Sequence, residues 1–170
     1  YFLPEMERIF INSPSLRRNF FDRLIYNIDK DYVILLNKYR KNIFERQKAL
    51  KNYNYDIEWI KIIEQQIADL AIKIYKKRVE NISLINFNLE KVNKFQNKIY
   101  KISFKLIDDF LENSQDFKSN LFDKYLFKLE KSREIDLIIG GCKFGPHKSD
   151  INGFNLDNNF NINQYSTGQQ

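Results

Sequence analysis

From Asp56 onward, Ile60, Ile63, Ile67, Leu70 and Ile74 recur at alternating intervals of three and four residues, the spacing that lines up side chains on one face of an α-helix. Trp59 lies beside this seam, as a packing residue rather than a platform for stacking bases. The pattern predicts a helix from Asp56 to Asn86 that continues past Val92. Only 5 Gly and 3 Pro occur among the 170 residues, which disfavours a loop-rich all-β fold and favours long unbroken helices. Upstream, Val33, Leu36, Ile43 and Leu50 follow the same spacing, with Arg40 and Gln47 where apolar residues would complete the stripe. A polar-interrupted seam suits a helical hairpin or loose coiled coil, and Asn52-Tyr53-Asn54-Tyr55 supplies the turn. Two long helices joined so briefly pack antiparallel, so residues 31–95 read as an antiparallel helical arm.

The flanks are mixed. Residues 1–12 read as an extended link, with Pro4 blocking a helix and Ile9-Phe10-Ile11 forming a strand-like run. Ser13-Pro14 starts a helix, Ser at the N-cap and Pro at the first helical position. Leu16, Phe20, Leu24 and Ile28 then recur every four residues, leaving Arg17, Arg18 and Arg23 on other faces; Asp29-Lys30-Asp31 ends this helix and caps the next. Between Lys98 and Leu111, Tyr100, Ile102, Phe104 and Leu106 alternate with polar residues, the period of a half-buried strand. Ser114 to residue 133 reads as a helix, and Asp136 to Phe144 as a strand bent at Gly140-Gly141. Both strand segments call for partners outside the chain. Asn152-Gly153 and Asp157-Asn158-Asn159 carry hairpin or turn chemistry. The fold class is mainly α with a small β part.

Charge and cysteine usage narrow the classes. The formal charge of +6 suits a polyanionic partner, although a composition rich in Asn, Ile, Lys, Tyr and Phe, the residues of AT-rich codons, explains part of the Lys excess. The single cysteine, Cys142, excludes an intrachain disulfide framework and fits a reducing, cytoplasmic setting. It lies in an apolar run and reads as an inert packed thiol. No apolar run reaches the roughly 20 residues that span a bilayer, and no metal-ligand cluster stands out. Beginning at Tyr1 rather than Met, the chain reads as a piece of a longer one.

Two motifs carry chemistry. Ser166-Thr167-Gly168-Gln169 combines a hydroxyl, a Gly that lets backbone approach closely and an amide donor, a set suited to pressing a helix N-terminus against phosphate; a polar turn uses the same residues. Gly145-Pro146-His147-Lys148-Ser149-Asp150 contains the only histidine. His147 reads as fixing a turn through a hydrogen bond rather than as a catalytic base, and Asp150 as orienting Lys148 or His147 or capping a turn. Arg17, Arg18, Lys76, Lys77 and Arg78 are candidate phosphate contacts, with a solvated charged face as the plainer reading.

Together these pieces resemble the RecF family. Phe2-Leu3-Pro4-Glu5, then Ser13-Pro14-Ser15 and Arg17-Arg18-Asn19-Phe20-Phe21-Asp22-Arg23, are similar to its Pro-bearing strand end and small-Pro-x-x-Arg-Arg-x-Phe helix. Asn37-Lys38-Tyr39 with Arg46-Gln47-Lys48-Ala49-Leu50 looks like its Tyr…Arg-Asn/Gln helix. Gly145 to Asp150 resembles its Gly-Pro-His-Arg-x-Asp motif, and Ser166 to Gln170 its ABC signature, with Thr167 replacing the first Gly of the commoner form. The resemblance covers essentially the whole chain.

It implies a DNA-repair and replication-restart ATPase of the ABC class, active in the DNA-damage (SOS) response. Such a protein binds single- and double-stranded DNA and ATP with Mg2+, and dimerises on ATP. It also implies RecO- and RecR-type mediators as partners and no membrane. Ser166, Thr167, Gly168 and Gln169 would contact the ATP of a partner subunit, with His147 and Asp150 on the nucleotide side as structural residues. The implied division is a link from the ATPase head over 1–12, a helical lobe over 13–133 carrying the arm, and a return to the head over 134–170. Glu5 falls where related ATPases join their two lobes, a place for coupling. No Gly-x-x-x-x-Gly-Lys-Ser/Thr occurs, so this stretch alone is expected neither to bind ATP well nor to hydrolyse it, and it carries no catalytic residue. A non-enzymatic helical interaction module, and a piece of another coiled-coil ABC ATPase of the chromosome-maintenance group, are the alternatives. The latter calls for a far longer coil than about 65 residues of hairpin.

Overall fold

The computed structural model describes residues 9–52, 56–96, 101–112 and 120–164. Helices α1 (Pro14–Ile28), α2 (Asp31–Lys51) and α3 (Ile57–Gln96) are followed by strand β1 (Ile102–Ile107), one turn of helix α4 (Asp109–Glu112), helix α5 (Leu121–Ile139), strand β2 (Asp150–Asn155) and a 3-10 turn (Ile162–Gln164). The fold is mainly α with a small sheet, in agreement with the sequence reading.

Helix α3 is the spine. Asp56 starts it, its carboxylate accepting the amides of Glu58 (2.9 Å) and Trp59 (3.2 Å), which satisfies donors that a helix N-terminus leaves free. The helix then runs 40 residues. Ile60, Ile63, Ile67 and Ile74 are fully buried and Leu70 nearly so, as their spacing predicts. Helix α2 packs antiparallel against α3: Asn42 bonds Gln66 (3.1 Å), and Arg46, further along α2, bonds Glu64, further back on α3 (2.9 Å). The expected turn at 53–55 lies outside the described residues.

The buried face of α2 departs from the expected stripe. Tyr32, Leu36, Tyr39, Arg46 and Leu50 are buried, whereas Val33 and Arg40 are exposed. Arg46, 1 % exposed, takes the place in the seam that a hydrophobe would fill. Its guanidinium meets Glu64 of α3, Asp136 of α5 (2.6 Å) and the Leu129 carbonyl (2.8 Å), and Arg133 closes on Glu64 from the other side (2.6 Å). Burial opposes the charge on Arg46, but the Glu64 and Asp136 carboxylates hold its pKa above the usual arginine value.

Helix α1 is rotated in the same way. Its buried residues are Arg17, Phe21, Asp22 and Ile25, while Leu16 and Ile28 of the expected apolar stripe are exposed. Two buried ion pairs, described below, outweigh the simple hydrophobic period.

The segment 136–144 is not a strand. Helix α5 starts at Asn120, whose side chain accepts the amide of Asp123, and runs through residue 139, so the division at 133–134 falls inside a continuous helix. It ends because Gly140 adopts φ +80°, a left-handed conformation in which glycine pays no Cβ penalty; the amides of Gly140 and Gly141 both return to the Asp136 carbonyl (2.9 and 3.1 Å). The expected Ser114 cap lies outside the described residues.

Strand β1 finds its partner within the chain, pairing antiparallel with β2 in the register Phe104↔Gly153. Asn152-Gly153 therefore lies inside a strand, while the residues from Leu156 to Asn159 form the turn. On the α3 side, the Asn86 amide mimics a neighbouring strand by donating to the Phe104 carbonyl (2.9 Å) and accepting its N–H (2.8 Å). Tyr75, Phe110, Tyr125 and Phe144 make the aromatic centre of the core.

Arg46→Ala is expected to cost about 3–5 kcal/mol, since it strips the buried Asp136 of its ion-pair partner and leaves Glu64 with Arg133 alone. Ile62→Ala, at a site 46 % exposed, should stay within about 0.5 kcal/mol. Urea unfolding of both variants checks the contrast, and equal effects would contradict the observed seam.

Candidate functional site

The residues from Gly140 to Asp150 fold into a tight turn between α5 and β2, pressed onto the start of α1 and the middle of α2 and α3. Gly145, at φ +117°, is required twice: by its backbone and because a Cβ there would collide with the hydroxyls of Tyr39 and Tyr125. Its carbonyl accepts the Lys148 amide (2.8 Å).

His147 is a strut of this turn. Nε2 lies 3.0 Å from the Cys142 carbonyl, which can only accept, so the proton sits on Nε2. Nδ1 therefore accepts from the Tyr39 hydroxyl at 2.8 Å, and Tyr125 in turn donates to Tyr39 at 3.3 Å. Burial, which disfavours the imidazolium, lowers the His147 pKa, and the nearby Lys148, Arg18 and Arg78 charges add to it. Cys142 is buried with its thiol donating to the Phe144 carbonyl (3.2 Å). Burial pushes the thiol pKa up to about 11, which makes it a packed, inert group.

Three arginines hold the motif. Arg78 of α3, 2 % exposed, forms two bonds of 2.9 Å to the Asp22 carboxylate and donates to the Pro146 carbonyl and the Ser149 hydroxyl. Tyr32 also donates to Asp22 (2.7 Å). Burial works against the Arg78 charge, and the Asp22 carboxylate overcomes it, leaving the pKa above the usual value. Arg17 forms a second bidentate pair with Asp150 (2.8 and 2.7 Å). Burial acts to raise the Asp150 pKa, but the bonds from Arg17 lower it on balance. Arg18 donates to the Ser149 carbonyl (2.5 Å).

No protein-family model matches the chain. It is 33% identical over 168 residues to the DNA replication and repair protein RecF of Rickettsia prowazekii, a match covering 98% of this chain and 46% of the relative. The match to RecF of Rickettsia felis is also 33% over 168 residues, covering 98% and 45%. A solved structure of the recombination mediator protein RecF with ATP, in the RecFOR pathway, aligns with a TM-score of 0.83 at 25% identity over 99% of this chain and 45% of that one. The chain belongs to the RecF family. It spans about half the length of the curated relatives it matches.

Within this RecF-family chain, the candidate residues separate by environment. Arg17 and Arg78 leave the set of DNA contacts, because their guanidiniums are buried and bonded to Asp150 and Asp22. Asp150 therefore orients Arg17 rather than Lys148 or His147. Lys76 is exposed, Lys77 is paired with Asp29 (2.8 Å) at the surface, and Arg18 is part-buried facing a cleft. Trp59, 51 % exposed, is not a seam residue. Glu5 and the signature residues Ser166, Thr167, Gly168 and Gln169 lie outside the described residues. Among the described residues no group of three His, Cys, Asp or Glu could hold a metal, and no helix is long and apolar enough to cross a membrane.

The sequence reading missed Asp22, Tyr39 and Tyr125 as supports of the motif. Asp22 sits one turn after Arg18 in a stretch read for its hydrophobes, its arginines and its family motif but not for a carboxylate partner, and the two tyrosines lie 86 residues apart. Only the bare presence of a charged residue on a helix face could have drawn attention to Asp22.

As the only histidine, His147 makes the region near pH 6 diagnostic. Its folded pKa lies below the unfolded value of 6.5, so its contribution is fully present above that value and is lost as the pH falls through it. The melting temperature is expected to drop between pH 7.5 and 5.5. His147→Gln should flatten this dependence, and an unchanged slope would show that His147 is not the group responsible. Gly145→Ala should lower stability by about 1–3 kcal/mol at any pH.

Proposed function

We propose that this chain is the helical-lobe and signature half of a RecF-type DNA repair and replication ATPase. The observation that carries the reading is the match to RecF over 98% of the chain, with the Gly145–Asp150 motif folded into one ordered turn. In this reading Ser166, Thr167, Gly168 and Gln169 close over the ATP of a partner subunit, so that dimerisation depends on nucleotide. Hydroxyl, amide and backbone donors aimed at the terminal phosphate stabilise charge there. ATP with Mg2+ supplies the phosphoryl chemistry. The phosphate cradle is absent from this sequence, and no step of hydrolysis passes through the described residues.

DNA is the proposed polyanion, single- or double-stranded, contacted by Lys76, Lys77 and Arg18, the candidate cations that keep some access to solvent. The reading carries with it the cytoplasm as location. The arm is the part offered to mediator proteins of the RecO and RecR type. Phe44, Trp59 and Ile62 stay exposed toward its far end, where a protein partner would cover them.

The test uses the protein extended to the full length of its relatives. Ser166→Ala with Gln169→Ala is expected to weaken ATP-dependent dimerisation by about tenfold or more in light scattering, and dimerisation unaffected by the pair would sink the signature assignment. DNA affinity should fall steeply with salt, and Lys76→Gln with Lys77→Gln should lower the log–log salt slope by about 1–2. Salt-independent binding would favour the interaction-module reading.

A further inference from the structure

Between the first turns of α1, the middle of α2 and the Gly-Pro-His turn lies a cleft of about 200 Å³ lined by Ser15, Arg18, Asn19, Arg40, Pro146 and His147. Its charge is not balanced. Arg78 and Asp22, which also border it, neutralise each other (2.9 Å), as do Arg17 and Asp150 behind it (2.7 Å). Arg18 and Arg40 have no carboxylate within ion-pair distance among the described residues. Arg18 is held in place by a single bond to the Ser149 carbonyl (2.5 Å), and burial together with the adjacent Arg78 charge lowers its pKa against the pull of the Asp150 and Asp22 carboxylates. The cleft thus contains a partly desolvated cation with no ion-pair partner of its own, since the nearby Asp150 and Asp22 carboxylates are already engaged by Arg17 and Arg78.

The backbone adds to this field. Helix α1 has Pro14 in its first turn and no acidic residue there, and the Ser13 side chain caps no amide. Its positive end is left uncompensated beside Ser15 and Arg18. Ser15, Arg18 and Asn19 follow the i, i+3, i+4 spacing that puts them on one helix face, and Arg40 enters from α2 opposite. His147 contributes shape but no spare donor, since both ring nitrogens are already bonded.

We infer that this cleft binds one phosphate group, held between the Arg18 and Arg40 guanidiniums with the Ser15 hydroxyl and Asn19 amide as further donors. The volume is below the roughly 300 Å³ at which pockets for whole small molecules begin, so a single ionic group fits and a complete nucleotide does not. Two planar guanidiniums, each able to offer paired N–H donors, suit a tetrahedral oxyanion better than a carboxylate-free surface of lysines would. The phosphate belongs either to a nucleic-acid backbone or to a small phosphate compound, and the chemistry of the cleft is the same for both. The inference rests on the DNA reading above only for the choice of source, because inorganic phosphate tests the cleft by itself.

The experiment is an NMR titration of this chain, following the arginine Nε–H signals, with inorganic phosphate, a short single-stranded oligonucleotide and ATP as separate probes. Saturable shifts of Arg18 and Arg40 with phosphate are expected. Arg40→Gln, at an exposed site unlikely to disturb folding by its position on the surface of α2, should weaken them about tenfold, and Arg18→Gln likewise. Lys61→Gln, far along α3 and paired only with Glu58 at the surface, should not. Displacement of phosphate by the oligonucleotide assigns the source to a nucleic-acid backbone; displacement by ATP alone assigns it to a small phosphate compound. Absence of saturable shifts with all three probes, or shifts that persist unchanged in Arg40→Gln, overturns the inference.

Discussion

Arg78 is a cation taken out of water at the meeting point of four segments, and an unpaired charge in that position would cost more than the fold could supply. Its neutralisation by Asp22 therefore dictates how α1 lies against α3. The remaining guanidinium donors reach the Pro146 carbonyl and the Ser149 hydroxyl, so one side chain fixes both the rotation of α1 and the position of the Gly-Pro-His turn. Arg17 with Asp150 repeats the device from α1 to the start of β2. The site is organised by what its buried charges need, and the apolar residues fill in around them.

Arg46 does the corresponding work at the other end of the lobe, joining α2 to α3 and α5 through Glu64 and Asp136. Between these two ion clusters lies the aromatic centre of Tyr75, Phe110, Tyr125 and Phe144. This layout holds the turn through several independent bonds. His147 is neutral, doubly bonded and wedged against Tyr39, a state suited to holding shape rather than to moving protons. The cations without an ion-pair partner of their own, Arg18 and Arg40, line a cleft beside the turn.

The membership in the RecF family gives these features a setting. The described residues supply a helical arm and the bonded turn that joins α5 to β2, while the residues proposed to meet nucleotide follow β2 in the chain.

How much was legible in the sequence depends on which force decided each element. The α3 seam from Ile60 to Ile74 was legible because apolar burial is local and periodic, and the start of α1 because Pro14 suits the first helical turn, although the Ser13 side chain caps no amide. The motifs at Ser13–Arg23, Asn37–Leu50, Gly145–Asp150 and Ser166–Gln170, taken in register, pointed to the family. The buried faces of α1 and α2 were not legible: whether Leu16 or Arg17 turns inward depends on Asp150, 133 residues away, and whether Gln47 or Arg46 does depends on Glu64 and Asp136. The run at 136–144 read as a strand because its apolar residues suit either state; in the structure residues 136–139 continue α5, and Gly140 in a left-handed conformation ends the helix there. Sequence alone determined the course of the long helix α3 and pointed to the family, since helical periodicity and short motifs follow from near neighbours along the chain. Tertiary structure alone decided which arginines are buried struts and which face a cleft, since a guanidinium's role is set by the carboxylates that folding brings to it.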